Sequence, residues 1–390
     1  MKALTWQGKR KIGFSDVPDP VIQDPGDIII KVTSTAICGS DLHLYELLGP
    51  YMHAGDVLGH ETMGIVQEVG SGITKLSVGD RVVIPFNISC GHCWMCQHDL
   101  QSQCETTQVR KHDKGAQFFG YSELYGQVPG GQAEYLRVPH ADYGAVRVGD
   151  QLPDHRYLFL SDILPTAWQG VHYANVPEGG SLAVYGLGPV GQLAARIGRH
   201  LGYEVLGIDP VPERRAMAER HGIQTLDFTK DTVGELRGRT GRGPDAVLDA
   251  VGMEAHGSPV SSMFQQATGL LPEKAAQLAM ENVSVDRTSV LDSAIDAVRR
   301  GGTLSISGVY AGAATPMPML KLFDKQIQIR QGQCNVRSWT EKLLPLAEDA
   351  ADPLGLDDLV THEQPLSNGP QMYETFQKKH DACIKVVLKP

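Results

Sequence analysis

Ser181-Leu182-Ala183-Val184-Tyr185-Gly186-Leu187-Gly188-Pro189-Val190-Gly191 is an apolar strand running straight into G-x-G-x-x-G, and Gln192 to Leu201 continues with helical spacing. A second strand, Tyr203 to Ile208, ends in Asp209, about twenty residues past the glycines, where a dinucleotide-binding βαβ unit places the acid that holds the adenosine ribose. The glycine pattern alone is common. Set between a strand and a helix, with the acid correctly spaced, it is specific. Glycines let the backbone approach a pyrophosphate whose charge sits at the positive end of the following helix. Gly186, Gly188, Pro189, Val190 and Gly191 are therefore the expected phosphate loop. Asp209 would bond both ribose hydroxyls and repel a 2′-phosphate, which favours NAD over NADP, although Arg214 and Arg215 beside it keep NADP open. Val251 and Val309 complete the residues expected along the cofactor.

Working outward, the α/β alternation continues through Asp245 to Val251, a helix near Ser289 to Arg299, and Thr303 to Tyr310. This is the pattern of a doubly wound parallel sheet. It is interrupted by a polar insertion at 253–287, longer than a simple connection, of the kind that forms a functional loop or surface decoration. Upstream, residues 1 to about 36, Gly64 to Gly70 and Val78 to Ile84 alternate apolar and polar side chains between turn signals, the signature of a mostly antiparallel, barrel-like domain. The final strand, Cys383 to Leu388, has the same character and is expected to return to that first domain. The division expected is 1–164 with 313–390 as one domain and 165–312 as the nucleotide-binding domain.

Composition narrows the function. The 390 residues carry a formal charge of -10, which argues against nucleic acid or an anionic membrane as partner, since both favour clustered Lys and Arg. No run approaches the ~18 apolar residues of a membrane span, and Met1 to Trp6 leads into Lys9-Arg10-Lys11 without an apolar core. A cytoplasmic protein acting on a small molecule is expected. Seven Cys, five of them at ligand-like positions, suit metal thiolates in a reducing compartment better than a disulfide framework.

Two clusters carry the chemistry. Cys90, Cys93, Cys96 and Cys104 can wrap a tetrahedral zinc with no position open, the arrangement of a structural site. His92 and His98 are not needed there. Earlier in the chain, Cys38-Gly39-Ser40-Asp41-Leu42-His43 and Gly59-His60-Glu61 bring thiol, hydroxyl, imidazole and carboxylate together. A catalytic zinc takes three protein ligands and keeps one position open. Cys38 and His60 supply two; Asp162, in Ser161-Asp162-Ile163-Leu164-Pro165-Thr166, is a candidate third, with a helix N-cap as the plainer reading of that Asp. Ser40 and His43 would pass a proton outward. Singly, each of these residues has an ordinary structural reading; their joint presence gives them weight.

In that order, the Cys38 to His43 segment, Gly59-His60-Glu61-x-x-Gly64, the four-Cys lobe and the glycine fingerprint resemble the zinc-containing medium-chain alcohol dehydrogenases over nearly the whole chain. Val83 to Asn87, Gly130 to Tyr135, Ser161 to Thr166 and the insertion after Gly252 are most similar to the formaldehyde dehydrogenase branch, whose glutathione-independent members lay that insertion over the cofactor. The resemblance implies a GroES-like β-barrel catalytic domain plus a Rossmann domain. It also implies two Zn2+ per chain, one catalytic on Cys38, His60 and Asp162 with Glu61 as a supporting or alternate ligand, and one structural. Thr166 would pack beside the nicotinamide, and Phe86 and Trp168 would wall the substrate pocket. Where relatives place a basic residue after the first zinc ligand to grip the pyrophosphate, this chain has Gly39, and Lys385 is the candidate replacement. The implied reaction passes hydride between an alcohol or aldehyde hydrate, formaldehyde or a primary alcohol, and NAD, in a homo-dimer or homo-tetramer. A polyol or secondary-alcohol dehydrogenase and an aldehyde reductase or dismutase are the alternatives within the class. A zinc-stabilised nucleotide-binding scaffold without turnover would have no use for Cys38, Ser40, His43, His60 and Asp162 together.

Overall fold

The computed structural model describes residues 1–252, 288–310 and 317–390. The insertion at 253–287 lies outside them. The chain divides into two units, Met1–Thr166 with Cys334–Pro390, and Ala167–Gln333.

The first unit holds β1 (Lys2–Gly8), β2 (Lys11–Asp16), β3 (Ile28–Ile37), β4 (Glu61–Val69), β5 (Arg81–Ile84), β6 (Tyr135–Val138), β7 (Val146–Arg147) and the C-terminal β14 (His362–Pro365) and β15 (Val386–Lys389). β1 and β2 make a hairpin; the others form a seven-stranded sheet in the order β14-β15-β3-β4-β5-β7, with β6 also on β3. All pairings but β14 with β15 are antiparallel. Alternation sets the inward face. Ile28, Ile30 and Val32 of β3 meet Val66, Val82, Ile84, Leu136 and Val138 in one core cluster, each side chain contributing about 1.5–3 kcal/mol by leaving water.

The second unit is a six-stranded parallel sheet of β8 (Ser181–Tyr185), β9 (Glu204–Ile208), β10 (Gln224–Leu226), β11 (Ala246–Asp249), β12 (Thr303–Ile306) and β13 (Gln328–Gln331), in the order β10-β9-β8-β11-β12-β13. Strand order reverses between β8 and β11, the position where open α/β sheets bind ligands beyond their carboxyl ends. The helix Ser289–Ala297 covers one face, packing Val290, Leu291, Ala294 and Ile295 against Tyr185, Leu206, Val247 and Leu304.

The expected return to the first unit at residue 313 is corrected by this sheet. β13 pairs in parallel with β12 from Thr303↔Gln328 to Ile306↔Gln331, so it completes the parallel sheet, and the chain crosses back only between Gln333 and Cys334.

Candidate metal centre and nucleotide loop

Strand register assembles the first cluster. Ala36 of β3 pairs with Glu61 of β4, and Ile37 of β3 with Val386 of β15. That sets Cys38, His60, Glu61 and Lys385 side by side at one end of the sheet. Gly59 turns the chain into this corner at φ +99, where a Cβ would lie 2.4 Å from Gln132. Phe86, two residues past β5, donates its backbone N–H to Ser161 O at 3.0 Å and so anchors the segment carrying Asp162.

Donor atoms of Cys38, His60, Glu61 and Asp162 all lie within 4.8 Å of one another, and all four residues are buried. Asp162 Oδ2 is 3.3 Å from Cys38 Sγ and 3.3 Å from His60 Nε2. Thr166 donates its hydroxyl to Asp162 Oδ1 at 2.8 Å, which turns the carboxylate toward the thiol and imidazole. Burial, then the charges of Asp162 and Glu61, push the Cys38 thiol up to about 12. Two carboxylates and a thiol in one dry site repel as anions; a divalent cation is what this donor set fits. Glu61 Oε2, buried with no hydrogen-bond partner among the described residues, adds to that fit.

Asp41 belongs to this cluster, and the sequence reading left it without a role. Fully buried, it sits 3.1 Å from His60 Nδ1 through Oδ1 and accepts the Cys38 backbone N–H at 2.9 Å through Oδ2. A carboxylate on one ring nitrogen fixes the imidazole tautomer and frees the other nitrogen for a metal. The available signal was local: an Asp three residues after Cys38, in the first turn of the helix Gly39–Glu46. Ser40 Oγ stands 3.1 Å from His60 Nε2, and His43 is buried one turn further along the same helix. Phe86 meets the His60 ring edge-on at 6.2 Å between centroids. Tyr121, which the sequence reading did not single out, does the same at 6.4 Å. Trp168 is buried on the helix Ile163–Ala174, in the second unit.

Lys385 requires a correction. Its ammonium is fully buried, donating to Glu61 Oε1 at 2.5 Å and to Ile37 O at 3.2 Å. It neutralises a carboxylate inside the first unit and is not available to grip a pyrophosphate.

In the other cluster, Cys90, Cys93, Cys96 and Cys104 bring their Sγ atoms within 4.8 Å of one another. Backbone N–H groups of Cys93 and Cys96 point at the sulfurs of Cys90 and Cys93 at 3.4 and 3.5 Å, and the Thr106 hydroxyl donates to Cys90 at 3.1 Å. All seven cysteines are free thiols. Four sulfurs converging without a disulfide fit a closed tetrahedral zinc. His92 and His98 are exposed outside it, His98 stacked on Trp94.

In the second unit the glycine loop is built as its spacing predicts. Gly186 has φ +85 and a Cβ there would strike Val251 at 2.5 Å; at Gly191 it would fall 1.7 Å from the Gly186 carbonyl. Gly188 caps the helix Pro189–His200, with Pro189 as its first residue and Val190 half-buried beside it. Asp209 Oδ2 accepts the Leu187 N–H at 2.7 Å and Oδ1 that of Val211 at 2.8 Å, so the acid stands on the loop itself. Arg214 lies 3.6 Å from Asp209, with its guanidinium 3.9 Å from a Cβ built on Gly188. Arg215 is spent on Asp209 O and Asp227. Val309 is partly exposed after β12.

Comparison with known proteins agrees with this geometry. Residues 24–150 match the family model described as an alcohol dehydrogenase GroES-like domain, and 189–268 the one described as a zinc-binding dehydrogenase. An uncharacterised zinc-type alcohol dehydrogenase-like protein of Bacillus subtilis is 40% identical over 100% of both chains. The chain belongs to the zinc-containing medium-chain alcohol dehydrogenase family. Like the rest of that family it is an oxidoreductase. A formaldehyde dismutase of Pseudomonas putida is 33% identical over 88% of this chain and 86% of its own. The solved alcohol dehydrogenase of Thermus sp. ATN1 superposes with a TM-score of 0.81 at 32% identity, covering 100% of this chain and 99% of its own.

Proposed function

We propose that this dehydrogenase transfers hydride between a small primary alcohol or aldehyde hydrate, formaldehyde among them, and NAD. The observation that carries the reading is the buried convergence of Cys38, His60 and Asp162, with Glu61 held behind them by Lys385. Those three would hold the catalytic zinc, and the four cysteines of the lobe the structural one. Zinc bound there supplies a Lewis acid that lowers the pKa of a substrate hydroxyl, and NAD supplies the hydride acceptor.

The chain's own residues do the rest. Asp41 keeps His60 in one tautomer, and Thr166 keeps one Asp162 oxygen turned toward the site. Ser40, in hydrogen-bond range of His60 Nε2, takes the substrate proton, and His43, three residues on along the same helix face, passes it outward. Phe86 and Tyr121 exclude water from the imidazole side. In the second unit the glycine loop takes the pyrophosphate, Asp209 the ribose, and Arg214 lies close enough to serve the phosphates.

The reading extends to a cytoplasmic homo-oligomer. Free thiols throughout suit a reducing compartment. Among the described residues β13 is an edge strand, all of it exposed, and Met319, Leu320 and Phe323 stand 66%, 82% and 83% exposed on the preceding helix. An edge of that kind is a template for pairing. No helix among the described residues is long and apolar enough to cross a membrane.

The test is a product assay with NAD and NADP against formaldehyde, primary alcohols and polyols. We expect kcat/KM for formaldehyde or a primary alcohol to exceed that for polyols by about ten-fold or more, equivalent to ~1.4 kcal/mol of transition-state binding, and NAD to outperform NADP. A preference for polyols would overturn the substrate assignment. Equal yields of acid and alcohol from aldehyde without added cofactor would assign dismutation, the activity named for the Pseudomonas putida relative.

A further inference from the structure

Asp249, the last residue of β11, is fully buried, and its carboxylate has three donors among the described residues. Oδ1 accepts the backbone N–H groups of Val251 at 2.8 Å and Gly252 at 3.1 Å; Oδ2 accepts the Tyr310 hydroxyl at 2.6 Å. Asp249 and Tyr310 therefore tie together the chain leaving β11 and the chain leaving β12. The two segments touch with no room for side chains. Gly252 has φ +59 and a Cβ there would lie 2.5 Å from the Val309 backbone, while one on Gly308 would lie 2.2 Å from Gly252 N.

The contact reaches the phosphate loop. Val251, whose N–H the Asp249 carboxylate holds, packs its Cγ2 where a Cβ of Gly186 would be, 2.5 Å away. Gly186 in turn presents its carbonyl to Gly191. A buried carboxylate is costly unless it is hydrogen-bonded, and here that requirement fixes one chain of contacts: Tyr310 to Asp249, Asp249 to Val251, Val251 to Gly186.

We propose that the Asp249–Tyr310 pair is a positioning device for the dinucleotide, holding Val251 as a shelf that supports the glycine loop in its binding shape. This rests on the reading of that loop as the NAD site. Preorganisation of this sort shows in binding: a loosened shelf must be reordered by the cofactor, and affinity falls accordingly.

The test is Tyr310→Phe in the full-length, zinc-loaded protein, which removes one hydroxyl. Kd for NADH is measured by fluorescence titration beside KM, kcat and the melting temperature. With one charged-acceptor hydrogen bond lost, Kd for NADH and KM for NAD should rise about ten-fold, with KM for the alcohol and kcat at saturating NAD within two-fold of wild type. Asp249→Asn keeps one acceptor for the two N–H groups and can donate to the Tyr310 oxygen, so it should recover most of the affinity that Asp249→Ala loses. Unchanged affinity in Tyr310→Phe, or a fall in melting temperature without the split between the two KM values, would overturn the proposal. Absence of NADH binding by the wild-type protein would instead overturn the reading of the loop, a separate outcome of the same titration.

Discussion

Lys385 and Glu61 pair with neither side chain exposed, 324 residues apart in the chain. Breaking a buried ion pair on one side leaves the other charge without compensation, at a cost of about 3–5 kcal/mol. Lys385→Met should therefore destabilise the protein by about that amount in urea denaturation, and Lys385→Met with Glu61→Gln should recover most of it. A loss below about 1 kcal/mol in the single variant would mean that the pair contributes little. The Lys385 assignment failed on sequence because a lysine's partner across a sheet leaves no periodic trace. Cys38, His60 and the four lobe cysteines were legible because ligand chemistry restricts residue type and spacing. Asp41 and Tyr121 were not, since an acid in a first helical turn and an aromatic in a loop have ordinary readings until register places them against His60.

Elements are tied together by a half-buried acid. Asp154 opens the short helix Asp154–Leu158 and accepts from Ser34 of β3 and Arg81 of β5, with Lys389 of β15 at 3.5 Å. Burial raises its pKa, but the bonds from Ser34 and Arg81 outweigh that and hold it at about 2. A carboxyl whose folded pKa lies below its unfolded value of 3.8 stabilises the fold fully above pH ~4. That contribution, about 1–2 kcal/mol after solvent screening, is lost as pH falls through ~2. Asp154→Asn should lower stability at pH 7 and flatten the acid limb of the stability profile between pH 4 and 2; an unchanged limb would remove Asp154 from the account. The strands themselves were readable from period-two alternation, as Ile28, Ile30 and Val32 show. Their partners were not. β13 reads as a short strand on either side of a boundary, and only its pairing with β12 assigns it to the parallel sheet.

At the scale of the molecule, each unit has its own core and its own chemistry. The first gathers two sets of metal-ligating side chains, and the second a glycine loop backed by Asp209 and the Asp249–Tyr310 tie. The chain carries a formal charge of -10, the sign opposite to the one that nucleic-acid binding favours. The central claim is that the two ligand sets are separate zinc sites with different duties. The most direct measurement is zinc per chain by elemental analysis, in the wild type and in His60→Ala, with turnover and melting temperature recorded on the same samples. Two ligand sets predict about two zincs per chain in the wild type and about one in His60→Ala, with turnover abolished and the melting temperature nearly retained. Full zinc content and retained turnover in His60→Ala would contradict the account.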